Sequence, residues 1–164
     1  MFIKYFNIIL FIIFFYQTPL YSKSKTLNDF NSQYLSNYFS GIVASENKSN
    51  TEALKFYKLS KFLIDKHNPY LERYVYSLVL EGRVQEAVNE IKRSSTKNNS
   101  DFFEAHLILA LDSLKKKDFE GSKIYLEKSS KFIINDRFAQ IIHGSIKEYI
   151  HVFKEKKIAK ANKN

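Results

Sequence analysis

Histidines at positions 67, 106, 143 and 151 are the side chains of this chain best suited to proton transfer or metal ligation near neutral pH. Their spacing argues against both. A zinc site needs paired His or Cys ligands at short, regular intervals, whereas His143 and His151 lie two helical turns apart and the others are isolated. The chain has no cysteine, which removes disulfides, thiolate metal ligands, a catalytic thiol and a lipid-modified N-terminal cysteine. It also lacks a glycine-rich phosphate loop and a nucleophile elbow, and its carboxylates are scattered along helix surfaces. The reading is a non-enzyme with no assigned catalytic, cofactor-binding or metal-binding residue. His106 is expected to pack within a helix and His67 to cap or line a loop.

The elements that must carry these residues follow from composition. A chain of 164 residues, 45% hydrophobic and 26% charged, can bury one real core. Only 4 Gly and 2 Pro interrupt it, so the expectation is all-α. The formal charge is +9, yet Arg occurs only at positions 73, 83, 93 and 137, and Lys supplies the rest. Lysine lacks the planar fork that reads phosphates and guanine edges, so no specific nucleic-acid partner is predicted. A basic surface of this kind does tolerate an anionic membrane.

Residues 1–24 pair an early Lys4 with an apolar run at positions 8–16, then Pro19 and small polar residues. This is the layout of a secretory signal peptide, with cleavage expected after Ser24. The run is far short of the roughly 20 residues that span a bilayer, although flanking residues 5–21 extend it enough to serve as an N-terminal anchor. The expected location is therefore exported, periplasmic or associated with the cell envelope. Residues 25–33 carry turn and cap formers and read as a linker.

Beyond the linker, apolar residues recur at helical spacing. Helices are predicted from Tyr34 to about Asn47, Glu52 to Lys66, Pro69 to Glu81, Arg83 to Arg93, Phe102 to Lys115, Phe119 to Phe132 and Arg137 to Phe153. Asn68 is the expected N-cap before Pro69, Gly82 the expected left-handed stop, and Asp101 with Glu104 an acidic variant of the capping box. Residues 154–164 carry five Lys and read as a basic disordered tail.

Three segments repeat a small–large–small pattern: Ala53, Tyr57, Ser60; Ala87, Ile91, Ser94; and Ser122, Leu126, Ser129. Their offsets of 34 and 35 residues resemble the period of about 34 in tetratricopeptide (TPR) hairpins. The slot where the first helix of such a hairpin meets its partner corresponds here to Gly41, Val75, Ala110 and Gly144. Close helix contact would explain a missing side chain at Gly41 and Gly144. The resemblance covers residues 34–153 and implies a right-handed α-solenoid of about three TPR-like hairpins plus a C-terminal single helix. It departs from the family at Asn37, Leu71 and His106, where an aromatic is usual, and at the large Val75.

What the resemblance implies for function is a bacterial envelope scaffold that binds a peptide or protein segment along a concave face. The corresponding positions are Tyr38, Ile42, Ser45 and Glu46, then Glu72, Tyr76 and Val79, then Leu107, Leu111 and Lys115. They lack the paired Lys, Arg and Asn of a carboxylate clamp. A second reading is a basic surface module lying on anionic lipid or polymer through the tail and Lys115-Lys116-Lys117. The seventh helix, apolar on one face and unpaired, would be capped by its own amphipathicity, completed by another subunit, or followed by more repeats of a longer TPR protein.

Overall fold

Local stops and caps set several of the helix boundaries among the described residues. The computed structural model describes residues 31–95 and 100–161, with side chains to 155, and all its regular structure is helical among those residues. The segment 1–24, expected to be a signal or anchor, lies outside them, as does most of the linker. No helix among the described residues is long and apolar enough to cross a membrane.

Helix α1 spans Ser32–Glu46 and starts two residues before its predicted beginning, because the Asn31 side chain accepts from Gln33 N at 2.9 Å. Helix α2 spans Asn50–Leu59 and stops short of its predicted end at Lys66. The stop falls at Ser60. Its Oγ donates to Phe56 O at 2.8 Å while its N–H is shared between Phe56 O and Tyr57 O, and the chain tightens into a 3₁₀ turn at Lys61–Asp65.

Helix α3 spans Asn68–Leu80 with Pro in its first turn, so the N-cap is His67 rather than Asn68. Helix α4 spans Val84–Ser95, and α5 spans Phe103–Lys115. Asp101 does not form the expected capping box. Its carboxylate instead receives His106 Nε2 at 2.9 Å and Lys131 Nζ at 2.5 Å. Helix α6 spans Phe119–Ser129, with Asp118 accepting from Gly121 N, and passes at Ser130–Phe132 into a second 3₁₀ turn. Helix α7 spans Arg137–Ala161, capped by Asp136 Oδ1, which accepts from Phe138 N and Ala139 N. The helix continues eight residues past Phe153, so the predicted disordered tail is helical as far as Ala161.

The hairpins share one backbone device. Lys48, Gly82 and Lys117 adopt left-handed φ values of 60°, 71° and 62°. At each, two crossed N–H bonds close the preceding helix: Ser49 to Ala44 O and Lys48 to Ser45 O, then Arg83 to Leu78 O and Gly82 to Val79 O, then Asp118 to Ser113 O and Lys117 to Leu114 O. This is the Schellman arrangement, and it recurs at the spacing of the small–large–small triplets. All nine triplet residues are buried.

Each helix packs on the next in sequence, and the odd-numbered ones also adjoin: Tyr38 of α1 meets Tyr70 of α3 at 6.0 Å between ring centroids, and α3 touches α5. The main core joins α1 to α5 around Tyr38, Tyr57, Tyr70 and Tyr74. Tyr70 Oη donates to Tyr57 O at 2.5 Å, and burial raises the pKa of all four phenols. A smaller cluster of Ala110, Leu126, Ile146 and Ile150 joins α5, α6 and α7.

Candidate binding face

The residues expected to line a partner-binding face separate into three environments. Tyr38 is a correction: its ring is buried among Tyr57, Tyr70 and the edge of His67, so it belongs to the core. It had looked like a lining residue because an aromatic stripe at helical spacing reads alike whether it faces a groove or the next helix. Ile42 and Val79 are half-buried and pack against the same core, and Leu107 packs against the smaller one. Glu46, Glu72, Tyr76 and Leu111 are the exposed set, with Tyr76 55% exposed despite its size.

Two parallel stripes bring part of that set together. Glu72 and Tyr76 are one turn apart on α3, and Glu104 and Leu111 lie two turns apart on the adjoining α5. Burial raises the pKa of Glu72, and the neighbouring Glu104 carboxylate raises it further, while Arg73 opposes the shift. Glu72 and Glu104 thus stand near the N-terminal ends of the two helices with Arg73 close by, and Tyr76 and Leu111 lie further along. Glu104 and Arg73 were not among the expected residues. The signal for Glu104 was its place in the first turn of α5, which had been assigned to capping.

Arg73 also favours the ionised forms of Tyr38 and Tyr57, against the burial that dominates both. The Tyr57 hydroxyl nevertheless has no hydrogen-bond partner of good geometry.

The histidines are structural in their contacts. His67 packs edge-on to Tyr38, and His106 stacks on Phe132 while binding Asp101. His143 Nε2 reaches Leu126 O at 3.1 Å, and His151 Nε2 reaches Glu155 at 3.3 Å. No group of three potential metal ligands gathers among the described residues.

An open groove of about 550 Å³ lies elsewhere, between α1 and α2, lined by Phe39, Val43, Ser36, Asn47 and Glu52. None of the ten expected lining residues borders it. Phe39 and Val43 lie about a quarter turn round α1 from Tyr38 and Ile42.

No family model matches the sequence, and no curated protein matches it.

Proposed function

We propose that this chain is a non-catalytic, TPR-like helical scaffold of the cell envelope that binds a protein or peptide segment across α3 and α5. The observation that carries the reading is Tyr76, a large aromatic left 55% exposed one turn from Glu72. Tyrosine offers broad contact area at low entropic cost, and a carboxylate pair beside it suits a cation. The partner segment is therefore extended or helical, apolar along most of its contact and carrying a Lys or Arg at the end that meets Glu72 and Glu104. Supporting the TPR-like part are the repeated Schellman stops, the buried triplets at a spacing of 34 and 35 residues, and the adjoining odd-numbered helices. The export part rests on the layout of residues 1–24.

Binding to anionic lipid is less well supported. Of the lysines it invokes, Lys116 is held by Asp112 and Lys154 by Glu120.

The test is photo-crosslinking from position 111, on the same face, of the full chain in intact cells, followed by mass spectrometry of the adducts. A discrete protein adduct is expected, lost in Tyr76→Glu and weakened by high salt or Glu72→Gln. Unchanged capture in Tyr76→Glu, with helicity and melting also unchanged, overturns the assignment of this face.

A further inference from the structure

Helix α7 buries Ala139, Ile146 and Ile150 on one side and presents the opposite side to solvent. Along the flank of the buried side runs an exposed apolar stripe: Phe138 is 72% exposed, Ile141 60%, Tyr149 60% and Val152 43%, with Phe153, 48% exposed, at the edge nearest the buried side. Its middle is bare. A side chain built at Gly144 would meet nothing within 4 Å, whereas one at Gly41 would strike the Tyr57 ring at 2.7 Å.

Four of these five residues are symmetric about Ser145. Phe138 and Val152 each lie seven residues from Ser145, and Ile141 and Tyr149 each lie four residues from it. Steps of four and seven residues stay on one face of an α-helix. A two-fold axis beside Ser145 therefore sets Phe138 against the second copy's Val152 and Ile141 against the second copy's Tyr149. Ser145 then meets itself, and this is the reciprocal pattern of an isologous contact. Gly144 and Ser145 give a small-residue crossing point where the two backbones can approach.

Charge agrees with that register. Arg137 and Glu155 lie on the same flank of the helix and nearly equidistant from Ser145, so an antiparallel pair brings Arg137 of each copy beside Glu155 of the other. Area agrees as well. The five exposed apolar side chains supply roughly 600 Å² per copy, taking about 200 Å² for a fully exposed side chain of this size. The exposed Ile134 and the flanking backbone bring this towards the roughly 800 Å² per partner of a stable complex.

We propose that this exposed stripe of α7 is a homodimer interface, and that two copies of the chain pair antiparallel through it with Ser145 at the two-fold axis.

The chain's lack of cysteine makes the register directly readable. In the full chain under mild oxidation, Ser145→Cys should form a disulfide-linked dimer in high yield. Phe138→Cys alone should link poorly, whereas a mixture of Phe138→Cys and Val152→Cys should link efficiently. Association through residues 1–30 would not produce this positional pattern. The double variant Ile141→Glu, Tyr149→Glu should sediment as a species of half the mass, with its helicity retained. A wild-type chain that sediments as a monomer across the accessible concentration range overturns the proposal. So does self-linking of Phe138→Cys as efficient as the mixed pair, which signals a parallel arrangement.

Discussion

The first and last helices carry glycine at corresponding repeat positions, yet the two sites have opposite surroundings. At Gly41 the α1 backbone presses on the Tyr57 ring so closely that a methyl group would overlap it; at Gly144 the same atom would enter open space. The contrast extends to the cores around them. Helices α1 to α4 share a continuous tyrosine-rich interior, whereas α7 is held to α5 and α6 by a few aliphatic side chains. A shared spacing thus sets where a helix stands, and the helix laid against it decides what each position contributes.

The largest effect expected from this comparison comes from the middle of the triplets. Tyr57→Ala should cost about 4 kcal/mol through lost burial and the cavity left behind, and the equivalent Leu126→Ala about 2 kcal/mol, since its neighbourhood is less enclosed. Equal losses in urea unfolding would mean that the two cores are alike. The glycines sharpen the point further because their signs should differ. Gly41→Ala should destabilise by about 2 kcal/mol from overpacking. Gly144→Ala should stabilise by about 0.5–1 kcal/mol, since alanine relieves the entropic cost of a mid-helix glycine.

An effect of similar small size is expected at the joint between α4 and α5. Asp112 of α5 binds Lys116 at 2.7 Å and Lys92 of α4 at 3.3 Å. Burial works against its charge, but the hydrogen bonds from Lys116 and Lys92 outweigh it and hold the carboxyl below its usual pKa. A depressed folded-state pKa means the unfolded chain binds the proton first. The stabilisation is therefore present above the ordinary value near 3.9 and is lost as pH falls through the lower folded value. Asp112→Asn should cost about 1 kcal/mol at neutral pH and progressively less below about pH 4, as read from melting curves across pH. A difference that persists undiminished in acid would assign the loss to packing rather than charge.

Much of this architecture was legible in the residue pattern because it rests on periodic burial and local stops. Gly82 announced the end of α3, and the triplets announced which side of α2, α4 and α6 faces inward. Lys48 and Lys117 gave no such notice, since a lysine in left-handed conformation is set by the hydrogen bonds around it and not by its own preference. Ser60 gave no notice either: Ser145 makes the same bond to the carbonyl four residues back without ending its helix. The binding face was half legible. Tyr76 and Glu72 were expected in the proposed face and are exposed, Tyr38 was expected there and is buried, and Glu104 came near them only when α5 lay beside α3.

The three left-handed stops make the molecule divisible. Because the chain leaves α1, α3 and α5 through the same backbone geometry, the stretch between Lys48 and Gly82 begins and ends in matching conformations and can be spliced out or copied without designing a new junction. The tyrosines that cross that boundary, and not the connecting turns, then set how many units the protein tolerates.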